Sequence, residues 1–348
     1  MSIKKSIFGY IDNKPVVKYD IELENVICSF SEVGAAILEY KVKDKNGVYT
    51  DVVLGYDTVE EYLHNGPGFG AVVGRFANRV KDAKFSLNGV EYNLTVNDNA
   101  NCLHSGYSYH YRQWDSKAYL DEQGAHLIYT IHSNHLDQGY PGVLDVELEY
   151  LIEPNGALTL TYTYMADQET PVSLTNHCYF NLNGHNSGTA INHELKLVSE
   201  AVTQLDEELI PTGKVVPVKG SALDFNELTV ISENMKKNFE GYCHFNAYDI
   251  NYILQEDKGE FKYIGSLVGD KSGICMNMYT DLPGIQFYSG NFLDEKGKNN
   301  SKYDKHFGLC FETQFFPNSV NDLTFPSPFI KPFTKYVSKT KYEFVIKK

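Results

Sequence analysis

Two histidines, two carboxylates and two arginines stand out in this chain for the company they keep. His177 lies in SLTNHCYFNLNG (173–184), where polar side chains interrupt an apolar run and an Asn-Gly pair closes a turn. His104 sits in NCLHSG (101–106), beside another glycine-containing turn of the kind that presents functional groups. Glu312 is a lone charge in the apolar stretch LCFETQFFP (309–317), and Asp249 repeats the pattern in YDINYIL (248–254). Desolvating either carboxylate is expensive unless it is paired or used. Arg75 and Arg79 share GRFANRV (74–80). Imidazoles and carboxylates are the groups on which proton transfer draws. Each residue also has a plain structural reading: a hydrogen-bonded histidine, a strand carboxylate facing solvent, an arginine in an ion pair.

The elements that must carry these residues read as strands. Over 145–149 apolar Val146 and Leu148 alternate with Asp145, Glu147 and Glu149 at the two-residue period of a half-buried strand. After the turn Pro154-Asn155-Gly156 the run LTLTYTY (158–164) repeats the alternation, which predicts a hairpin. Asn88-Gly89 between FSL (85–87) and VEY (90–92) predicts a second, because that pair supplies the positive φ angles of a tight turn. Similar runs lie at 127–131, 248–254, 285–288 and 342–346. One short helix is expected over 58–63, with Thr58 and Glu61 as a capping box. Many short strands without strand-helix-strand alternation point to an all-β, large antiparallel sandwich, and no GxGxxG or GxxxxGK loop argues for a nucleotide-binding fold. With no low-complexity linker and no clear repeat, a single domain over 1–348 is the simplest partition.

Bulk properties narrow the partners. Hydrophobic residues make up 42% and charged residues 22%, the balance of a folded globular chain. The 26 Tyr and 20 Phe against one Trp suit strands and flat sugar-stacking surfaces. A formal charge of −14 repels phosphate backbones and anionic lipid, so neither nucleic acid nor membrane is expected as a partner. The opening segment lacks the apolar stretch of a secretion signal and no run reaches membrane-span length, so a cytoplasmic location is expected. On that expectation the two glycosylation sequons, at 93–95 and 299–301, carry no argument. Cys28, Cys102, Cys178, Cys243, Cys275 and Cys310 are scattered singly with no CxxC pair, which predicts reduced structural thiols and no zinc ribbon.

Taken together and in order, GRFANRV, NCLHSG, SLTNHCYFNLNG, AYDIN, LPGIQFYSGN and CFETQFFPNSVN resemble the aldose 1-epimerases, the galactose mutarotase family. The likeness runs over nearly the whole chain, from Gly34-Ala35-Ala36 and LGYDTVEEYL (54–63) to the strand at Tyr342, and NHCYFNLNG and ETQ are its most specific segments. The resemblance implies a single β-supersandwich with few short helices and an open cleft for a monosaccharide, with no cofactor and no metal. It implies interconversion of the α and β anomers of free hexoses such as galactose and glucose by ring opening and closure. Matched motif to motif, Glu312 is the general base that takes the anomeric proton and His177 the general acid that protonates the ring oxygen. His104 and Arg79 hold the ring and anomeric oxygens, Asp249 accepts from ring hydroxyls, and Asn78, Tyr179 and Gln286 line the pocket. Reference pKa values of about 4.3 for the carboxylate and about 6.5 for the imidazole fit that division, leaving roughly a quarter of His177 charged at neutral pH. Two departures, Ile250 where many relatives have His and Ser105 where they have Gly, are expected beside the pocket, where they bear on sugar preference.

Three rival readings follow from the same residues. A hexose-6-phosphate 1-epimerase needs extra Lys or Arg in the cleft to hold a dianion. A non-catalytic carbohydrate-binding protein on the same scaffold has no use for both His177 and Glu312. A glycosidase employs two flanking carboxylates, whereas the best partner of Glu312 is a histidine. The sequence leaves monomer and homodimer equally open.

Overall fold

The computed structural model describes residues 1–348 except Ser108, Asn238, 240–246, Asp257 and Lys348. Cys243 therefore lies outside the described residues, while Cys28, Cys102, Cys178, Cys275 and Cys310 are free thiols.

The 145–149 alternation extends into a strand Leu144–Ile152 that pairs in antiparallel register with Leu158–Ala166, Ile152 opposite Leu158, as the Asn-Gly turn requires. These two strands stand within a nine-stranded sheet, flanked by Ala125–Ser133 on one side and Tyr336–Ile346 on the other. The inward row Val146, Leu148, Tyr150 and Leu160, Tyr162, Tyr164 is buried, and the outward row stays wet. A five-stranded sheet formed by the first 51 residues, Ser2–Ile11 to Tyr49–Asp51, follows a simple meander order. A six-stranded sheet, in the order Tyr179–Phe180, Leu309–Gln314, Gly284–Tyr288, Asp249–Ile253, Ala201–Leu205 and Pro211–Pro217, carries most of the residues singled out above. One apolar cluster joins Phe30 and Tyr40, Leu148 and Tyr150, and Ile250, Phe287 and Phe311, so all three large sheets share a core. The architecture is the all-β antiparallel supersandwich expected from the sequence.

Local chemistry accounts for the small elements too. Asn88 and Gly89 have φ of 53° and 79° and join Lys84–Leu87 to Val90–Asn93. Val59–Leu63 is a helix capped by Thr58, whose hydroxyl accepts from the Glu61 N–H while the Glu61 carboxylate accepts from the Thr58 N–H. The strand at 342–346 begins earlier than its alternation suggested, at Tyr336, because Tyr336–Ile346 inserts between Leu158–Ala166 and Ile274–Thr280 and is paired on both edges.

Candidate active site

Strand alternation sorts the six-stranded sheet into two faces. Ile250, Phe287 and Phe311 point into the core, Phe287 and Phe311 stacking at 5.2 Å. The other face carries Asp249 and Asn251, Gln286 and Tyr288, and Cys310, Glu312 and Gln314, with Asn251 opposite Gln286 and Gln286 opposite Glu312. Ile250 is thus a core residue and not a pocket neighbour, a correction that the two-residue period explains. Glu312 does take the face away from the core, yet it is only 2% exposed, because the neighbouring loops roof that face.

The roof is built from the histidine segments. Arg79–Val80 pairs with Cys102–Leu103, and the Asn78 N–H donates to His104 Nδ1 at 3.1 Å while the His104 N–H donates to the Asn78 carbonyl at 3.0 Å. Because a backbone amide fixes Nδ1 as acceptor, the neutral His104 ring carries its hydrogen on Nε2. His177 is held through its own backbone, which accepts from Gly70 at 3.1 Å and donates to Ala71 at 2.8 Å. Gly70 sits at φ 65° with no room for a Cβ, which would stand 2.2 Å from the Ile37 carbonyl. The His177 ring stacks on Tyr179 at 5.1 Å and meets His104 edge-on at 5.3 Å.

These residues enclose a cleft of about 320 Å³ lined by Asn78, Arg79, His104, His177, Tyr179, Asp249 and Glu312, together with Gly66, Pro67, Leu103, Tyr288, Phe292, Leu293 and Glu295. Within it His177 Nε2 lies 3.6 Å from Glu312 Oε1. Arg79 donates through Nε to Asp98 at 2.7 Å and brings Nη1 to 3.7 Å from Asp249. Gln286 is not a lining residue: its amide donates to Asp249 Oδ1 at 2.6 Å and orients that carboxylate from behind. Ser105 also stays outside the lining, its hydroxyl accepting from the Phe76 N–H at 2.9 Å and bonding Tyr140 at 3.0 Å. Arg75, fully buried, donates to the carbonyls of Pro141 and Gly142 and to Ser133 Oγ at 2.8, 2.9 and 2.8 Å, so it is a structural brace.

Burial changes the charge state expected from reference values. The Glu312 carboxyl is pushed well above the usual carboxylate range, chiefly by desolvation, with the Asp249 charge adding and Arg79 opposing. Desolvation takes His177 down to about 4. Burial therefore disfavours both charged forms, the Glu312 carboxylate and the His177 imidazolium, relative to exposed groups. Burial also holds His104 well below its ordinary value, helped by His177, His110 and Arg79. Asp249 is raised by burial against the pull of Arg79 and Gln286. Glu312 Oε2 has no hydrogen-bond partner among the described residues, so a buried acceptor stands ready for a ligand hydroxyl. Ligand-type atoms of His104, His177 and Glu312 lie within 4.8 Å of one another, but His104 in its Nε2–H tautomer presents a donor there and no lone pair for a cation.

Of the lining residues, Tyr288 was legible as the neighbour of Gln286 at the strand period. Phe292 and Glu295 were not, since Phe292 stands in a turn and Glu295 opens a two-residue strand, Glu295–Lys296, too short to show a period.

A strand-rich scaffold with a cleft built from an imidazole–carboxylate pair defines the class. The family model described as Aldose 1-epimerase matches residues 18–343. The chain is 37% identical to galactose mutarotase of Mus musculus over 99% of both chains, and 29% identical to aldose 1-epimerase of Escherichia coli over 92% of both. Its structure superposes on an aldose epimerase homologue from C. elegans with a TM-score of 0.86 and 26% identity, covering 94% of this chain and 99% of that one. The chain belongs to the aldose 1-epimerase family.

Proposed function

We propose that this protein interconverts the α and β anomers of an uncharged aldose, with Glu312 and His177 as its proton-transfer pair. The observation that carries the reading is the 3.6 Å approach of His177 Nε2 to Glu312 Oε1 inside the cleft. The anomeric hydroxyl and the ring oxygen of an aldopyranose share one carbon, so a single bound sugar meets both groups at once. In the direction that opens the ring, Glu312 takes the proton from the anomeric oxygen as His177 gives one to the ring oxygen, and the C1–O5 bond breaks to leave an aldehyde and a hydroxyl. Rotation about C1–C2 and reclosure reverse both transfers, so the pair returns with the single proton it started with.

A single shared proton is compatible with the direction in which burial moves both groups. Glu312 and neutral His177 together hold one proton, and the same proton on His177 gives the carboxylate–imidazolium form. Sugar hydroxyls donating to Glu312, with Arg79 beside Asp249, favour that ionised form once the cleft is filled. His104 supplies an Nε2–H to a sugar oxygen, and Asp249, oriented by Gln286, accepts from ring hydroxyls. Each positioned transfer contributes roughly a hundred- to ten-thousand-fold.

An uncharged substrate is favoured over a phosphosugar because Arg79 is the one cationic side chain among the described lining residues and is already engaged by Asp98 and Asp249. Asp249 and Glu295 give the cleft wall an acidic bias that opposes a dianion. A single domain over 1–348 and a cytoplasmic site of action belong to the same proposal, supported by the core shared among three sheets and by the unpaired thiols. Polarimetry of freshly dissolved α-galactose, α-glucose and their 6-phosphates tests it: accelerated decay of rotation with the free sugars supports the reading, and acceleration confined to the phosphates overturns it.

A further inference from the structure

The wall of the cleft is aromatic from its floor to its mouth. His177 stacks on Tyr179 at 5.1 Å, Tyr179 meets Tyr288 edge-on at 6.0 Å, and Tyr288 stacks on Phe292 at 6.5 Å with 27° between the rings. The first members of this series are buried or half-buried, but Phe292 is 74% exposed. What sets this ring apart is its place: it lines the cleft, so its free face is presented to whatever the cleft binds.

Its loop is not loose. The Tyr288 hydroxyl accepts from the Phe292 N–H at 3.1 Å, and the Asn291 amide donates to the Tyr248 carbonyl at 2.8 Å. Downstream, Tyr56 donates to the Glu295 carboxylate at 3.0 Å. The buried Lys298 ammonium then anchors the base of the loop to Asp51 at 2.6 Å and to the carbonyls of Leu38 and Val53 at 3.0 and 2.7 Å. The backbone is tied down on both sides while the phenyl ring is left projecting at the mouth.

We propose that Phe292 is a stacking platform for the C–H face of the bound pyranose, and that it makes the protein favour sugars whose C–H bonds gather on one face. The inference rests on the sugar-epimerase reading and deepens it, adding a residue that reads the substrate without touching the proton transfers. Its physical basis is the negative face of the phenyl ring, which attracts the weakly positive hydrogens of a sugar's apolar side. In galactopyranose the axial 4-hydroxyl leaves the hydrogens on C3, C4 and C5 on a common face. In glucopyranose the C4 hydrogen lies on the opposite side, and the patch is broken. Galactose therefore gains more from the platform than glucose does.

The test is anomer conversion, followed by polarimetry, and galactose binding, followed by calorimetry, with wild type and Phe292→Ala, Phe292→Leu and Phe292→Trp. Stacking of this kind is worth about two- to twelvefold in affinity. Phe292→Ala and Phe292→Leu are both expected to raise KM and Kd for galactose about tenfold and for glucose about twofold, with kcat within about twofold, and Phe292→Trp to restore wild-type values. A Leu variant that matches wild type would reduce the residue to bulk, and an Ala variant that leaves both sugars unchanged would remove it from the site; either overturns the proposal. Wild type that binds galactose without converting it sinks the epimerase reading alone, and the Kd ratios still decide the role of Phe292. Wild type that fails to bind galactose overturns both.

Discussion

His177 Nε2 and Glu312 Oε1 face each other at 3.6 Å with side-chain exposures of 8% and 2%, too far apart for a direct hydrogen bond and too buried to titrate as isolated groups. In the reading proposed above they act as a unit that shares one proton.

The pH dependence of kcat/KM reports it. His177 is depressed to about 4, so below that value both members carry a proton and no base is left. Glu312 is raised well above its ordinary range, so ionisation through that higher value strips the last proton and no acid is left. Activity is expected to rise through about pH 4 and to fall only at a pH well above the ordinary carboxylate range, where Glu312 ionises. An acid limb displaced upward to the ordinary imidazole value of about 6.5 would contradict the burial-driven shifts.

Asp249 and Gln286 are expected to act in series. Asp249→Ala removes the acceptor for ring hydroxyls and should abolish measurable saturation. Gln286→Leu removes the 2.6 Å donor that orients it and should raise KM about tenfold with kcat within a few-fold. Steady-state kinetics on both variants decide the matter, and a Gln286→Leu enzyme with wild-type KM would put Asp249 under other control.

Arg75 is expected to matter for stability alone. Its removal as Arg75→Met orphans the buried carbonyls of Pro141 and Gly142, while the Ser133 hydroxyl keeps its bond to Asp137. At about 1–3 kcal/mol for each carbonyl, the loss should be at least about 2 kcal/mol. Denaturant midpoints at constant m check it, and kcat of the folded fraction should not change.

Lys298→Met leaves Asp51 buried without its ammonium and should cost about 3–5 kcal/mol. The double variant with Asp51→Asn is expected to recover part of that loss, since a neutral amide does not need the counter-charge. Chemical denaturation of the three variants forms the cycle.

Much of this architecture was legible in the chain. The Asn88-Gly89 turn and the Thr58–Glu61 capping box are local chemistry, satisfied within a few residues, and alternation placed the strands around Leu148 and Tyr162 correctly. Alternation also assigns Ile250 to one face and Asp249 to the other, which is why Ile250 is absent from the cleft although its neighbour lines it. What a period does not convey is the roof over a face. Glu312 satisfied the pattern of a solvent-facing residue, yet the turns around Gly70 and His104 close over it and push its carboxyl well above the usual carboxylate range. Gln286 sits on the cleft's face but is screened by the side chain it supports, and Arg75 and Arg79, neighbours in one motif, part into brace and cleft wall only through long-range contacts. Phe292 belongs to a loop whose position is set by Tyr56, Tyr288 and Lys298, residues far from it in sequence or on another element.

Polarimetry of α-galactose with wild type, Glu312→Gln and His177→Ala tests the shared-proton pair most directly. Accelerated decay with wild type and loss of at least about a hundredfold in kcat in each variant is the expected result, because either change leaves one transfer without its group. A Glu312→Gln enzyme that keeps wild-type kcat would contradict the account, for it would place the proton transfers elsewhere in the cleft.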